Sequence, residues 1–210
     1  KGYVVSNDGN ISVKCGANEI WTTPTGVSKG FMTPDMLIKV DLSGRILEGN
    51  RGVTSELPMH LRVYKERPDV MAVVHAHPPY ATSFAVAGIP LDRNIIPEAV
   101  IHLGYVPIAR YGAPATDEIP DAVAEVIGNC DAILLQNHGA LTCGYDLIYA
   151  YNKMENLEFY AQVLFNTMLM GGAREIPEDS LDRLMDYRRR FNLKGRHPGI
   201  KYKGGYNNVN

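Results

Sequence analysis

Three of the six histidines stand where they could share a metal ion. His75 and His77 lie two residues apart, at the end of an apolar run (70–75) that is typical of a buried strand. Alternate residues of a strand face the same side, about 6.5–7 Å apart, so both imidazoles can reach one ion. His138 follows a second apolar run (132–136), and three imidazoles are a common ligand set for catalytic zinc. The spacing therefore predicts a metal site, although a His-x-His pair alone also fits ordinary hydrogen-bonded residues.

Glu56 is the candidate general acid or base. It lies in the first turn of a predicted helix, where backbone N–H groups and the helix dipole stabilise a negative charge. A carboxylate at a helix start also fits a structural role. His60 follows one turn later and can face the same side as Glu56, but a solvated helix face explains it equally well. His102 and His197 have no evident partner in the sequence.

Three polar turns could form an anion-binding cradle beside the metal. The first is the helix start itself, where Thr54 and Ser55 supply hydroxyl groups. The others are the glycine-containing turns at residues 8–12 and 23–26. Glycine lets the backbone approach a ligand closely and aim its amides at a phosphate. Each of these turns alone is common in proteins. Taken by themselves, the residues predict a metal site beside an anion-binding cradle and do not identify a reaction.

The remaining pattern predicts a single α/β domain that positions these groups. Short β-like runs come first, and helical patterns dominate later. Their irregular alternation indicates a central mixed β-sheet with helices packed on both faces. No linker or repeat divides the chain, so residues 1–210 are expected to form one domain with a loose C-terminal arm at about 195–210. The predicted strands are 11–14, 19–22, 37–40, 70–75 and 132–136, and the predicted helices begin at 54, 117, 146 and 181.

Composition excludes several classes of protein. The chain is 45% hydrophobic with a net charge of −2, which argues against disorder and against nucleic-acid binding. No apolar run reaches the length of a membrane span. The odd number of cysteines, Cys15, Cys130 and Cys143, predicts reduced, buried thiols in a cytosolic protein. The first residue is Lys1 rather than Met, which is compatible with a missing or processed N-terminal segment.

Five short motifs, in this order, resemble the class II aldolase/adducin family and its L-fuculose-1-phosphate aldolase-like branch. The resemblance runs from about residue 2 to 170, and five motifs in order are highly specific. The motifs are Gly9-Asn10-Ile11-Ser12, Thr23-Pro24-Thr25-Gly26, Ser55-Glu56, His75-Ala76-His77 and Gln136-Asn137-His138-Gly139.

The resemblance implies roles for individual residues. His75, His77 and His138 would bind Zn²⁺, with Mn²⁺ or Co²⁺ as alternatives. Glu56 would be the general acid/base and would also ligate the metal while no substrate is bound. The substrate phosphate would be held by Gly9, Asn10, Thr25, Gly26, Thr54 and Ser55.

The implied activity is reversible cleavage of a deoxyketose 1-phosphate, such as L-fuculose 1-phosphate, into dihydroxyacetone phosphate and a small aldehyde. The metal would stabilise the enediolate, so no Schiff-base lysine is required. The family also implies a homotetramer with active sites at subunit interfaces, and the cysteine content predicts a cytoplasmic location. The same scaffold hosts methylthioribulose-1-phosphate dehydratase and ribulose-phosphate 4-epimerase, and a non-catalytic adducin-like interaction module is a further alternative.

Three departures from the family pattern are visible. Only eight residues precede the first glycine motif, where members usually have a helix. The cross-interface catalytic tyrosine is absent from residues 94–100, where Glu98 is the ionisable residue. Thr54 replaces a serine but keeps the hydroxyl. Three tyrosines are candidates to close over the site, although exposed surface positions fit them as well: Tyr187, Tyr202 and Tyr206.

Overall fold

Eight strands form one mixed sheet. The structure, a computed structural model, describes residues 1–202 and 205–207, with side chains up to Lys201. The strands are β1 (Asn10–Gly16), β2 (Glu19–Thr22), β3 (Ile38–Val40), β4 (Ile46–Glu48), β5 (Ala72–Ala76), β6 (Ile108–Ala109), β7 (Ala132–Leu135) and β8 (Gly139–Gly144). Their order is β4-β3-β2-β1-β5-β8-β7-β6, with β6 and β7 parallel and every other neighbouring pair antiparallel.

Helices cover both faces of this sheet. They are α1 (Leu57–Glu66), α2 (Pro79–Ala87), α3 (Pro97–His102), α4 (Glu118–Val126), α5 (Leu147–Leu169) and α6 (Glu178–Arg190). One apolar core joins α1 and α4 to one face, and a second joins α2, α3 and α5 to the other. The predicted fold class, a single α/β domain with a central mixed sheet between helical layers, is therefore confirmed.

Local sequence signals explain the main elements. The five residues of β5 are all buried, as expected for a continuous apolar run in a central strand. Pro58 occupies the first turn of α1, where its missing N–H costs nothing. Asp146 caps α5 by accepting a hydrogen bond from the backbone N–H of Tyr149. In the described part of the chain, no helix combines the length and apolar character needed to cross a membrane.

The C-terminal segment is more ordered than the sequence predicts. The backbone N–H of Gly199 donates to His197 Nδ1, and His197 Nε2 donates to the carbonyl of Val100 at 2.7 Å. Ile200 is buried against α3 and α6. Strand β9 (Ile200–Tyr202) pairs antiparallel with β10 (Gly205–Asn207). The expectation of a loose arm is therefore wrong for residues 197–201, because His197 and Ile200 attach them to the domain.

The cysteine expectation needs a smaller correction. All three thiols are free, and Cys130 and Cys143 are buried, as predicted. Cys15 is exposed, because its position near the end of β1 faces solvent rather than either core.

A buried arginine ties α1 to the strand that precedes the site. The Arg67 guanidinium lies 2.8 Å from Asp131, both side chains are almost fully buried, and Arg67 also donates to the carbonyls of Ile127 and Cys130.

Arg67→Met leaves a buried carboxylate without its cation and should cost about 3–5 kcal/mol of unfolding free energy. Arg62→Met is the matched control in α1, since the ion pairs of Arg62 lie near the surface and should contribute less than about 1 kcal/mol. Urea denaturation measures both, and equal losses would contradict this interpretation.

Candidate active site

The pairing of three adjacent strands assembles the site. Asn10, at the start of β1, is the register partner of His75 in β5. On the other side of β5, Ala76 pairs with Ala140 of β8, which places the β7–β8 turn and its His138 beside the end of β5. Residues 9–10, 75–77 and 136–139 therefore meet at one end of the sheet, although they are far apart in the chain.

The three predicted metal ligands converge. The ring centroids of His75, His77 and His138 are 4.7–5.0 Å apart, and one ligand atom of each lies within 4.8 Å of the others. His75 Nδ1 donates to the carbonyl of Ala140 at 2.9 Å, which leaves Nε2 available to a metal ion. That Nε2 faces the Nε2 of His77 at 3.1 Å. The rings are thus held around one point by the strand end and the turn.

Glu56 completes the cluster. Its Oε1 lies 2.9 Å from His138 Nε2, and its Oε2 lies 3.4 Å from His75 Nε2 and accepts a 2.6 Å hydrogen bond from Asn10 Nδ2. Burial raises the pKa of the Glu56 carboxyl, but its interactions with His138, His75 and Asn10 outweigh burial and hold the pKa below the ordinary value. Burial lowers the pKa of His75 to about 3. A neutral imidazole and an ionised carboxylate are the forms that bind a metal ion.

This donor set fits a divalent cation. With metal–nitrogen bonds of about 2.0–2.1 Å in tetrahedral geometry, two imidazole nitrogens stand about 3.4 Å apart, close to the 3.1 Å between His75 and His77. The Nε2 of His138 lies on the same side of the cluster, 2.9 Å from Glu56 Oε1, whereas its buried Nδ1 has no hydrogen-bond partner among the described residues. The four side chains present nitrogen and oxygen atoms to a common centre, as a metal site requires.

Two glycines allow the close approach of these segments. A Cβ on Gly139 would lie 2.6 Å from both the Ala76 carbonyl oxygen and His77 Cδ2. Gly9 has a φ of +69°, and a Cβ there would lie 2.9 Å from the His75 carbonyl oxygen. Any side chain at either position would push the ligand strand away.

A polar cavity of about 210 Å³ opens beside the cluster. The bridge between Pro24 and Val53 brings the 23–26 turn alongside the start of α1. Thr54 Oγ1 accepts from Asn10 Nδ2 and from the N–H of Glu56, so its own hydroxyl proton remains to be donated to a ligand. The six residues expected to hold a phosphate all line this cavity: Gly9, Asn10, Thr25, Gly26, Thr54 and Ser55.

Lys29 and Asp8 also line the cavity and were not predicted as site residues. Lys29 Nζ donates to the carbonyls of Asn7 and Val27, which connects the two glycine turns. Asp8 Oδ2 lies 3.6 Å from His77 Nδ1. A lysine just after the 23–26 motif carries no sequence signal of its own, but Asp8 belongs to the first turn and could have been included.

The other candidates lie away from this cavity. Glu98 is exposed in the first turn of α3, and a contribution across a subunit interface stays a prediction. Tyr187 is half exposed and its ring contacts Phe191. His102 borders a different concavity, next to Tyr149. Tyr202 and Tyr206 lie beyond the described side chains.

A concavity of about 600 Å³ between α6 and the C-terminal segment is basic and separate from the histidine cluster. The guanidinium of Arg188 at its wall is bonded to the carbonyls of Ile101, Lys194 and Gly195. Its cationic group therefore serves the local fold.

The fold and the site define an α/β domain with a candidate metal centre, and comparison with known proteins specifies the family. The model of the Class II Aldolase and Adducin N-terminal domain matches residues 1–165. The chain belongs to this family and is a class II, metal-dependent enzyme.

Individual relatives agree on the family and differ in activity. An L-fuculose phosphate aldolase of Methanococcus maripaludis (strain S2) is 40% identical over 77% of this chain and 86% of its own. A 3-oxo-tetronate 4-phosphate decarboxylase of Escherichia coli K12 is 34% identical over 79% of each, and a 5-deoxy-D-ribulose 1-phosphate aldolase of Bacillus thuringiensis is 31% identical over 87% and 86%. A solved L-fuculose 1-phosphate aldolase superposes with a TM-score of 0.82 at 27% identity, covering 91% of this chain and 89% of its own.

Proposed function

We propose that this protein is a zinc-dependent aldolase that reversibly cleaves a deoxyketose 1-phosphate, such as L-fuculose 1-phosphate, into dihydroxyacetone phosphate and a small aldehyde. The observation that carries the proposal is the convergence of His75, His77, His138 and Glu56 directly beside the polar cavity. The cavity offers hydroxyl groups and glycine turns to a phosphate, and the cluster offers a divalent cation to the reacting end of the same molecule. The aldolase relatives support this choice of reaction.

In this proposal, different residues contact different parts of the substrate. Amides of the Gly9 and Gly26 turns, with the Ser55 and Thr54 hydroxyls, hold the phosphate and thereby orient the sugar carbon chain. When bound, the zinc ion supplies charge stabilisation for the oxygen that becomes negative as the carbon–carbon bond breaks. Glu56 stands at this end, ionised; it would accept the proton of the hydroxyl group that becomes the aldehyde and then deliver it to the carbon of the dihydroxyacetone phosphate half. No covalent link between enzyme and substrate is needed.

The direct test is incubation of zinc-loaded protein with fuculose 1-phosphate and related ketose phosphates. Release of dihydroxyacetone phosphate, detected with a coupled dehydrogenase, is the expected result. If a folded protein with one zinc per chain cleaves none of these substrates, the aldolase proposal is wrong.

A second reaction, decarboxylation of a 3-oxo acid phosphate, is favoured by the 34% identical decarboxylase relative. It needs the same cation and phosphate contacts, since a neighbouring carbanion is stabilised in both reactions. Product mass separates the candidates: two fragments for an aldolase, loss of carbon dioxide for a decarboxylase, loss of water for a dehydratase and no change for an epimerase. A non-catalytic adducin-like module would bind less than one ion per chain even after zinc is supplied.

Ser55→Ala tests the phosphate cradle. Ser55 is exposed in the cavity, and loss of its hydroxyl removes one hydrogen bond to a charged ligand, about 1.5–3 kcal/mol. We expect KM to rise about tenfold or more, with kcat within about threefold of the wild type. Initial-rate kinetics measure this, and Ser28→Ala, next to the cradle but outside the cavity lining, is the matched control. A lower kcat with unchanged KM would contradict phosphate binding by Ser55.

The proposal also covers the identity of the metal ion, the oligomeric state and the cellular location of the protein. Three imidazoles suit zinc, and manganese or cobalt are the alternatives. We propose a cytoplasmic homotetramer in which Glu98 of one subunit reaches the site of another. Sedimentation velocity and the activity of Glu98→Gln test these statements.

A further inference from the structure

A buried chain of hydrogen bonds runs from the helical layer into the site. Tyr64 and Ser12 are joined at 2.8 Å, Ser12 and His60 Nδ1 at 2.7 Å, and His60 Nε2 and Asn10 Oδ1 at 2.6 Å. Asn10 Nδ2 then donates to Glu56 Oε2 at 2.6 Å. His60 is fully buried, and Asn10, Ser12 and Tyr64 are at most 4% exposed. All four distances, 2.6–2.8 Å, are within hydrogen-bond range, so each polar side chain in this series is hydrogen-bonded to the next.

The Asn10 amide sets the direction of this series of hydrogen bonds. Its NH₂ group donates to Glu56 Oε2 and to Thr54 Oγ1, and its oxygen faces His60 Nε2. His60 Nε2 therefore carries the proton, and Nδ1 accepts from the Ser12 hydroxyl. The reversed chain would turn the Asn10 oxygen toward the carboxylate at 2.6 Å, which places two acceptors in contact. A single arrangement remains.

His60 is neutral in this arrangement. Burial lowers its pKa to about 4, and a neutral ring with one N–H and one lone pair matches its two neighbours. The same Asn10 amide group also reaches Thr54 Oγ1 at 3.2 Å, so it touches both the candidate acid/base and the candidate phosphate cradle. The orientation of one amide therefore matters at two places in the site.

We propose that His60 is a positioning residue: by donating from Nε2 to Asn10 Oδ1, it fixes the amide orientation that holds the Glu56 carboxylate toward the metal ligands. This inference rests on the proposed function for its kinetic consequences, but its structural content does not depend on the substrate. His60 does not contact the cavity; it acts through Asn10. Partners of this kind, one shell behind the ligands, typically contribute 10–100-fold to activity or metal affinity.

Two variants of similar size separate positioning from packing. His60→Gln retains an N–H donor near the place of Nε2, whereas His60→Leu fills the space without a donor. We expect His60→Leu to lower kcat by about 10–100-fold, to raise KM by a smaller factor because the Asn10 amide also contacts Thr54, and to weaken zinc affinity about tenfold in competition with a chelating dye. His60→Gln should stay within about threefold of the wild type in both quantities. Equal losses in the two variants, or losses that follow their unfolding free energies, would overturn the proposal.

A second measurement needs no substrate. In metal-free protein with ¹⁵N-labelled histidine, two-bond ¹H–¹⁵N correlations report which ring nitrogen of His60 is protonated. The proposal requires the neutral Nε2–H form, and the Nδ1–H form would refute it. If the wild type cleaves no sugar phosphate, the proposed function fails, while this spectrum and the zinc affinities still decide the role of His60.

Discussion

Replacing His77 with alanine is expected to remove the metal and with it essentially all activity. His77 is one of three imidazoles that share a centre, and a zinc ion loses much of its affinity when one of three such ligands is absent. Metal content should fall from about one ion per chain to well below half, and kcat/KM by at least ~10³-fold, since the cation supplies several kcal/mol of charge stabilisation. Elemental analysis of dialysed protein and initial-rate kinetics measure the two quantities.

His77 suits this experiment because its side chain is partly exposed, so the substitution leaves the apolar cores unchanged. His102→Ala is the matched control: that histidine is half-buried and lies outside the cavity. It should retain one ion per chain and wild-type kinetics. If His77→Ala keeps both its metal and its activity, the assignment of this ligand is wrong.

Replacing Glu56 with glutamine should lower kcat by about 10²–10⁴-fold, the usual contribution of a positioned acid or base. Glutamine keeps the shape of the side chain but cannot accept a proton and carries no charge. The phosphate contacts are untouched, so KM should stay within a few-fold. Zinc should remain bound through the three histidines, at reduced affinity.

Glu66→Gln, at the other end of α1, provides the control, because Glu66 pairs with Arg62 near the surface. Its kinetics should match those of the wild type. Activity of Glu56→Gln within threefold of the wild type would show that proton transfer uses another group, and Asp8, beside His77, would be the next candidate.

Much of the fold is predictable from local pattern. The strand over residues 19–22 coincides with β2, and the apolar runs that precede His77 and His138 became β5 and β7. By contrast, β8 and the short helices α2 and α3 were not predicted. The sequence of β8 is GALTCG, whose small residues give neither a strong β propensity nor an alternating pattern. Its burial depends on pairing with β5, which no local window contains.

The site shows the same division between local and non-local information. Motif order placed Asn10, Glu56 and His138 in one family pattern, and the structure brings them into contact. The function of His60 could not be predicted, because its one-turn spacing from Glu56 fits a solvated helix face equally well. Only the strand pairing that buries Asn10 and Ser12 against α1 reveals its partners. Lys29 was missed for the same reason, since its contacts are to backbone carbonyls of another loop.

In the proposed homotetramer, residues of neighbouring subunits are expected to contact the aldehyde half of the substrate. The cavity residues of this chain are the proposed contacts of the phosphate and the metal. Discrimination between fuculose and shorter ketose phosphates would then depend on neighbouring subunits, consistent with relatives that share this scaffold and differ in substrate.

Crystals grown with zinc and measured on both sides of its absorption edge would locate the ion directly. The account predicts one anomalous peak per chain, about 2.0–2.1 Å from the Nε2 atoms of His75, His77 and His138, with Glu56 adjoining it. A folded protein whose only peaks lie elsewhere, or whose three rings share no peak at saturating zinc, would contradict the metal centre and leave the family fold without this chemistry.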